Sequence, residues 1–313
     1  MPTDRAPENG SKTGSILLDA AALHHRLARE GSGGATLRVL ELRWSPSGPP
    51  ALERYQAGHI PGALFVDLER DLSHAQPRGP GGRHPMVSAS EFAALLARLG
   101  ISEGTCAVIY DDGSGAIAAR LWFQLRLHGH QRAQLLDGGL AAWTAAGYPL
   151  DSAAPQPSPA PARPLVRDES LLADRATIAA WVAQRGSSAA APLLLDARAP
   201  ERYRGEVEPI DPVAGHIPGA INLPFARLLR GPADPRWRPA EEVRALLLQH
   251  TGASEESLRA RGVIASCGSG VTACHLLAAL ALAGLPPGKL YGGSYSDWVS
   301  EANAEVARGS EPG

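Results

Sequence analysis

The stretch that decides the fold covers residues 263–273 and reads VIASCGSGVTA. Its first four residues form a short apolar run that predicts a buried strand, and Cys267 stands at the carboxyl end of that strand. A Gly-Ser-Gly loop follows, and the segment at 272–284, rich in Ala and Leu, predicts a helix. Strand, glycine loop and helix in this order are typical of α/β proteins, which bind ligands at the carboxyl ends of their strands.

The loop has the chemistry of an anion-binding site. Glycines at 268 and 270 permit backbone angles that turn successive N–H groups inward. The amino end of the following helix adds positive potential at the same place. Both effects favour the thiolate of Cys267, which is the form of cysteine that attacks sulfur, and both would stabilise the outer sulfur of a persulfide. We therefore predict that Cys267 is a nucleophile.

The chain repeats itself, and the blocks occur in the same order in both halves. The pairs are 39–43 with 194–198, 58–63 with 215–220, 108–115 with 263–270, and Trp143 with Trp298. A period above 150 residues indicates a duplicated domain rather than a solenoid of 20–50-residue repeats. Asp112 takes the position of Cys267 in the first half, where it cannot hold sulfur. We therefore expect the first domain to be inactive and to complete a cleft with the second.

The fold class predicted is α/β, with two tandem domains that each contain a parallel sheet with helices on both faces. Residues 90–99 predict a helix capped by Ser90, and residues 239–249 predict one that starts at Pro239. Five prolines at 155–164 exclude a helix or central strand there. The predicted division is a flexible tail at 1–14, an inactive domain at 15–150, a Pro-rich linker at 151–168 and a catalytic domain at 169–313.

The composition is that of a folded protein without a strongly charged partner. The 313 residues are 44% hydrophobic and carry a net charge of −2, which argues against a nucleic-acid or anionic-membrane partner. Three cysteines without paired spacing favour a reducing compartment over a disulfide framework. The polar segment 1–15 lacks the apolar core of a signal peptide, and the longest apolar run, 276–285, is too short for a bilayer. We expect a cytoplasmic protein with neither metal nor cofactor.

On these motifs the chain resembles the tandem-domain rhodanese family, over residues 15–307. The family loop Cys-x-x-Gly-Val-Thr-Ala is matched at 267–273, and the two His-Ile-Pro-Gly-Ala segments and the Gly-Ser at 293–294 also match. The resemblance implies a silent first repeat and a second repeat that carries sulfur as a persulfide. Thiosulfate sulfurtransferases resemble Cys-Arg-Lys-Gly in the loop, whereas Cys-Gly-Ser-Gly resembles 3-mercaptopyruvate sulfurtransferases. The implied acceptors are a thiol or cyanide, with thioredoxin as a reductant.

The resemblance also implies roles for individual residues. Arg202 matches the substrate-binding arginine, and a guanidinium suits a carboxylate because it offers two parallel hydrogen bonds. Ser269 matches a hydroxyl that stabilises the leaving enolate, in a proposed relay with His84 and with Glu69 as its acid. A second arginine found in some mercaptopyruvate enzymes is replaced by Ile210. The substrate-binding loop is completed by Gly268, Gly270, Val271 and Thr272.

The remaining polar groups are expected to be structural. His59 and His216 occupy equivalent positions, although only one half carries the nucleophile. The pairs Glu41–Arg43 and Asp196–Arg198 repeat near strand ends. Cys274 is expected to be a small core residue on a helix, and Cys106 to be inert.

Two other functions compete with sulfur transfer from 3-mercaptopyruvate. Thiosulfate could be the donor, with cyanide as the acceptor, on the same fold and the same nucleophile. A non-catalytic rhodanese-like binding module is the alternative from another class, and the intact loop around Cys267 argues against it. A cysteine phosphatase or arsenate reductase resembles Cys-x5-Arg, but Ala273 stands where that arginine would be.

Overall fold

The computed structural model describes residues 15–31, 36–45, 48–74, 81–184 and 190–313. The tail predicted at 1–14 lies outside these residues. The first half forms a five-stranded parallel sheet in the order β1-β5-β4-β2-β3. Its elements are β1 (Leu17–Leu18), α1 (Ala20–Glu30), β2 (Leu37–Arg43), α2 (Ala51–Ala57), β3 (Leu64–Asp67), α3 (Leu68–Asp71), α4 (Ala89–Arg98), β4 (Cys106–Tyr110), α5 (Ala118–Leu127), β5 (Ala133–Leu136) and α6 (Gly139–Ala145).

The second half repeats this sheet in the order β6-β12-β11-β7-β8, again with parallel strands. An antiparallel hairpin of β9 and β10 forms a separate two-stranded sheet in this half. The elements are β6 (Leu172–Ala173), α7 (Arg175–Ala183), β7 (Leu193–Asp196), α8 (Pro200–Tyr203), β8 (Ile221–Asn222), β9 (Leu229–Gly231), β10 (Asp234–Trp237), α9 (Ala240–Thr251), α10 (Glu255–Arg261), β11 (Val263–Ser266), α11 (Ala273–Leu282), β12 (Lys289–Tyr291) and α12 (Ser294–Trp298). The predicted pair of α/β domains is confirmed.

Two predicted helix boundaries need correction. Helix α4 begins one residue earlier than expected, because Ser88 rather than Ser90 is its N-cap. Ser88 accepts a hydrogen bond from the backbone of Glu91, and the Glu91 carboxylate accepts one from the backbone of Ser88, so that each satisfies a backbone donor at the helix start. Helix α9 covers Ala240–Thr251, with Pro239 at its N-cap.

The Pro-rich segment is extended and lies against the first domain. No helix or strand occurs between residue 152 and a short 3₁₀ segment at Glu169–Leu171. The amide of Ala160 donates to the carbonyl of Ala97, and that of Asp168 donates to the carbonyl of Leu127. The segment therefore follows the surface of the first domain before the second sheet begins.

The two domains share one apolar core. Helices α5 and α11 pack against each other, and buried side chains from both belong to the same cluster, including Leu121, Leu125, Leu276 and Leu280. Burial of this shared surface removes apolar area from water in both halves at once, so each domain stabilises the other. Within the described residues, no helix is long and apolar enough to cross a membrane.

Candidate active site

Cys267 lies directly after β11, under a second segment of the same domain. Its residue surface is only 2% exposed. The Cys267 amide donates to Ser294 Oγ at 3.0 Å, and the Cys267 carbonyl accepts from the Tyr295 amide at 3.0 Å. Ser294 holds a left-handed backbone angle, φ 53°, which few residues other than glycine adopt. The start of α12 therefore fixes the backbone of the nucleophile from above.

The loop after Cys267 turns a backbone donor towards the sulfur. The Gly270 amide donates to Cys267 Sγ at 3.1 Å. Gly270 has φ 77°, and a methyl group there would collide with the carbonyl of Gly292. Glycine is therefore required at 270 both by the backbone angle and by the close approach of the neighbouring chain. Val271 is buried beneath the loop, and Thr272 is half-buried just before α11.

The first domain shows what this loop conformation can bind. In the equivalent loop, the Asp111 carboxylate accepts hydrogen bonds from four amides, those of Gly113, Gly115, Ile117 and Ala118, at 2.8–3.3 Å. A carboxylate thus occupies the anion cradle of the first domain. By the repeat, the corresponding donors in the second domain are the amides of residues 268, 270, 272 and 273. The fold of this loop is suited to a negative group, and in the second domain Cys267 Sγ is the group that it contacts.

The first domain also contains an arginine equivalent to Arg202. Both α2 and α8 contain Glu-Arg-Tyr, so Arg54 is the counterpart of Arg202. Arg54 Nη1 donates to the carboxylate of Asp112, the residue at the position of Cys267, at 2.8 Å. An arginine on this helix therefore reaches a carboxylate at the mouth of the loop in the first domain. The repeated Glu-Arg-Tyr was present in the sequence and could have indicated this relation.

Arg202 lies over the catalytic loop and is oriented by two acids. Its Nη2 donates to Glu208 Oε1 at 2.7 Å and to Asp211 Oδ2 at 3.3 Å. A methyl group on Gly268 would lie 3.5 Å from Arg202 Nη1, so this nitrogen faces the loop. The carboxylates of Glu208 and Asp211 hold the Arg202 guanidinium at the site. Its Nη1 is directed towards Gly268, the residue after Cys267.

His84 and Ser269 meet across the domain boundary. His84 Nδ1 is 2.8 Å from Ser269 Oγ, and both residues are buried. Burial, together with the charges of Arg120 and Arg83, lowers the pKa of His84 to about 4. The imidazole is therefore neutral at physiological pH. It forms a hydrogen bond with Ser269 but does not act on it as a cation.

Glu69 does not occupy the place expected for the acid of this relay. Within the described residues, its carboxylate makes no hydrogen bond to His84 and instead accepts one from Trp44 Nε1 at 3.2 Å. The Trp44 ring stands edge-on to the His84 ring, with 6.0 Å between centroids. The Trp44 ring thus lies between the Glu69 carboxylate that it bonds and the His84 ring that it contacts.

The residues expected to be structural have structural contacts. The rings of His59 and His216 stack on Tyr55 and Tyr203, and each Nδ1 contacts the carbonyl of the same tyrosine. Arg43 pairs with Glu41, and Arg198 pairs with Asp196.

The other two cysteines, Cys106 and Cys274, are both buried. Burial raises the pKa of Cys274 to about 12, and its thiol donates to the carbonyl of Gly270. Cys106 lies between Arg26 and Gln134 in the first domain.

Two arginines of the first domain reach the site and were missed by the sequence reasoning. Arg83, next to His84 in the chain, pairs with Asp211 of the second domain, and its Nη2 would lie 2.8 Å from a methyl group on Gly268. Arg120 is fully buried, and its guanidinium donates to the carbonyls of Gly270 and His84 at 3.0 and 2.8 Å. Nothing in the local sequence of α5 indicates that Arg120 points into another domain.

Comparison with known proteins agrees with this architecture. The Rhodanese-like domain family matches twice, at residues 26–146 and 179–301. The chain is 44% identical over 297 residues to a Pseudomonas aeruginosa protein named "Probable 3-mercaptopyruvate sulfurtransferase", covering 94% of this chain and 98% of that one. It is 39% identical to the "Putative thiosulfate sulfurtransferase SseB" of Mycobacterium tuberculosis, covering 95% and 98%. The solved 3-mercaptopyruvate sulfurtransferase from Leishmania major superposes with a TM-score of 0.74 at 28% identity, covering 93% of this chain and 75% of that one.

Proposed function

The chain belongs to the rhodanese family, as a sulfurtransferase of the group with two tandem rhodanese-like domains, and from this premise we propose its reaction. It transfers sulfane sulfur from 3-mercaptopyruvate to a thiol or to cyanide, through a persulfide on Cys267. The observation that carries the proposal is the position of Cys267 Sγ in the loop, 3.1 Å from the Gly270 amide and below Arg202.

In the first step, the Cys267 thiolate attacks the sulfur of 3-mercaptopyruvate. The new S–S bond forms as the C–S bond breaks, and its electron pair leaves on carbon as the enolate of pyruvate. The proton from the donor's thiol or from water then converts the enolate to pyruvate. The loop amides stabilise the persulfide as their counterparts hold the Asp111 carboxylate, and Arg202 binds the donor's carboxylate.

Ser269 acts on the leaving enolate. With a proton on His84 Nδ1, the imidazole donates to Ser269 Oγ, and the serine hydroxyl is free to donate to the enolate oxygen. The low pKa of His84 keeps the ring neutral, so that only one of its two nitrogens carries a proton at a time. Glu69 takes no direct part in this step.

In the second step, an acceptor attacks the outer sulfur of the persulfide and Cys267 leaves as its thiolate. A thiol becomes a persulfide, and cyanide becomes thiocyanate. The enzyme passes through a covalent intermediate and returns to its starting form, which is ping-pong behaviour. The reaction requires no cofactor. Thioredoxin is a protein thiol of the class that would serve as acceptor.

The organisation of the molecule is part of the proposal. We propose an inactive domain at 15–150, a linker at 151–168 and a catalytic domain at 169–313, and the two sheets with the extended segment between them support this division. A reducing compartment, the cytoplasm, suits a protein whose three cysteines are all unpaired.

Thiosulfate is a second candidate donor. The 39% identity to a protein named as a thiosulfate sulfurtransferase favours it, and so does the positive charge of Arg83 and Arg202 above Gly268. A dianion would be attracted to the same two guanidinium groups. Against it, the loop itself carries Gly268 and Ser269 rather than cationic side chains.

Steady-state kinetics on both donors, with cyanide as acceptor, tests the proposal. We expect kcat/KM to favour 3-mercaptopyruvate, Cys267→Ser to abolish turnover, and intact mass spectrometry to find one added sulfur atom on the wild type after donor alone. Cys106→Ser is the matched control and keeps its activity, because Cys106 lies in the first domain, away from the loop. A preference for thiosulfate would contradict the assignment of 3-mercaptopyruvate as the donor. Turnover by Cys267→Ser would overturn the nucleophile.

A further inference from the structure

Helix α12 bonds the catalytic loop through its backbone. The Tyr295 amide donates to the Cys267 carbonyl at 3.0 Å. The next amide, that of Ser296, donates to the Gly268 carbonyl at 2.9 Å. These two bonds fix the position of α12 relative to the nucleophile. Any group that α12 holds on its other side is therefore placed relative to Cys267 as well.

A segment of the first domain, the crossing loop (residues 81–84), packs against the start of α12. Gly82 in this loop has φ 78°, and a methyl group there would collide with the carbonyl of Gly293. The Arg83 amide donates to Ser296 Oγ at 3.1 Å. The two chains therefore meet at backbone distance, and glycine is required for that approach.

Asp297 anchors the beginning of the crossing loop. Its residue surface is 3% exposed, and its Oδ1 accepts a hydrogen bond from the Gly81 amide at 2.8 Å. Its Oδ2 accepts from the Tyr291 hydroxyl at 2.6 Å, and Arg175 Nη1 lies 3.4 Å from Oδ1. Burial and the bond to this carboxylate raise the pKa of Tyr291, so the phenol keeps the proton that it donates. Groups of the second domain thus hold the carboxylate, which binds the backbone of the first.

The other end of the crossing loop carries His84. Three residue steps from Gly81 to His84 span at most about 11 Å, so a displacement at the anchor is passed directly to the imidazole. The His84 carbonyl accepts from Arg120 at 2.8 Å, and His84 Nδ1 lies 2.8 Å from Ser269 Oγ. Hydrogen bonds of this kind extend only to about 3.2 Å. The contact with Ser269 therefore depends on the path of the loop to within a few tenths of an ångström.

We propose that Asp297 is a positioning residue for the donor half-reaction, in which it holds the crossing loop so that His84 bonds Ser269. The proposal rests on the function proposed above, because Ser269 acts there on the leaving enolate. Asp297 acts through His84 and does not touch the substrate. The acceptor half-reaction forms no enolate, so it should depend on Asp297 much less.

The test measures the two half-reactions separately. Persulfide formation is followed by rapid-quench mass spectrometry after mixing with 3-mercaptopyruvate. Sulfur loss is followed after enzyme loaded with inorganic polysulfide is mixed with cyanide. Loss of a hydrogen bond to a charged acceptor corresponds to about tenfold to a hundredfold. We expect Asp297→Ala to slow persulfide formation by that factor and sulfur loss by less than about threefold.

A double-mutant cycle with His84 separates positioning from general support of the fold. In a His84→Ala background, Asp297→Ala should slow persulfide formation by less than about twofold, because the residue that it positions is absent. Asp297→Asn keeps an oxygen for the Gly81 amide and should recover part of the loss. If Asp297→Ala does not fold, Asp297→Asn is compared in the two backgrounds instead.

Two measurements without turnover separate this proposal from the reaction itself. Hydrogen exchange of the Gly81 amide should become at least about tenfold faster in Asp297→Ala. The ¹⁵N chemical shifts of the His84 ring report its hydrogen bond to Ser269 and should change in the same variant. If the wild type does not turn over 3-mercaptopyruvate, the proposed function fails, while the shifts still decide whether Asp297 positions His84.

The matched control is Glu301→Gln. Glu301 is the other carboxylate beside Arg175, with 3.1 Å between Oε1 and Arg175 Nε, and its side chain is 70% exposed. This variant should leave both half-reactions and the His84 shifts unchanged, and thermal unfolding checks that every variant folds. Equal slowing of both half-reactions, an undiminished effect in the His84→Ala background, or unchanged His84 shifts would show that Asp297 only stabilises the folded protein.

Discussion

Replacing Arg120 should disturb the catalytic loop from beneath, through a contact that crosses the domain boundary. Arg120 is fully buried, and within the described part of the chain its guanidinium has no carboxylate partner. It donates instead to the carbonyls of Gly270 and His84. Gly270 binds the sulfur of Cys267 through its amide, and His84 binds Ser269 through its ring. One side chain therefore supports both halves of the site.

The magnitude follows from these two contacts. Arg120→Gln can replace at most one of the hydrogen bonds, and a buried carbonyl left without a donor costs about 1–3 kcal/mol. Removal of a buried cation returns part of its desolvation penalty. We expect the free energy of unfolding to fall by roughly 2 kcal/mol, within the range of single-residue effects on buried networks. The loss of the hydrogen bond to the Gly270 carbonyl should also slow alkylation of Cys267, because the amide of Gly270 is the donor that contacts the sulfur.

Urea unfolding, kcat/KM for 3-mercaptopyruvate and the alkylation rate measure the three effects. Arg126→Gln is the matched control, since Arg126 lies on the same helix, α5, and its guanidinium stacks over the Trp122 ring, 5.1 Å from its centroid. We expect kcat/KM to fall at least tenfold in Arg120→Gln and less than twofold in Arg126→Gln. If Arg120→Gln unfolds like the wild type and reacts at the same rate, the loop does not depend on this cross-domain contact.

Two further predictions concern the loop after Cys267 and the stability of the folded protein at low pH. Gly270→Ala should abolish persulfide formation, because a methyl group there collides with Gly292; retention of the added sulfur in the mass spectrum would contradict this. Burial lowers the pKa of His275 to about 3, so between pH 6.5 and 3 the unfolded chain binds a proton that the folded chain does not. Stability should therefore fall as pH decreases through that window, by up to about 1.4 kcal/mol per pH unit for this group. His275→Phe should flatten the slope in urea unfolding, and an unchanged slope would assign the acid sensitivity to other groups.

The sequence predicts the parts of the site that depend on neighbours in the chain. The strand, the glycine loop and Cys267 are adjacent, and the duplicated blocks reveal both domains. The helix cap at Ser88 was also readable, since Ser88 and Glu91 have the spacing of a capping box, while Ser90 competes only by composition. The predicted contact of His84 with Ser269 depended on the family resemblance, because 185 residues separate the two.

The parts that were missed arise where the domains meet. Arg83 and Arg120 approach the loop from the first domain, and no local periodicity distinguishes them from surface or core residues. Glu69 has the sequence position of a relay acid, yet the side chain of Trp44 accounts for its hydrogen bond. In the first domain, Asp111 and Asp112 follow β4 at the positions of Ser266 and Cys267 in the second domain. The Asp111 carboxylate therefore occupies the anion-binding loop of the first domain. Distances between the domains decide the cases of Arg83 and Arg120, and a single sequence does not encode these distances in any local pattern.

The same repeat explains why a domain without a nucleophile belongs to the active site. Arg120 on α5 and His275 on α11 stand 155 positions apart, the offset of the repeat, and each contacts a loop carbonyl of the opposite domain. On the silent side, His275 stays neutral, stacks on Trp237 and contacts the carbonyl of Ser114, beside a cradle already filled by Asp111. At the loop of the second domain, the equivalent contact is made by Arg120. Its guanidinium is a permanent cation, and it lies against the loop that holds an anionic sulfur. The duplication has thus diverged in charge, so that the first domain supplies positive groups where the second domain develops negative charge.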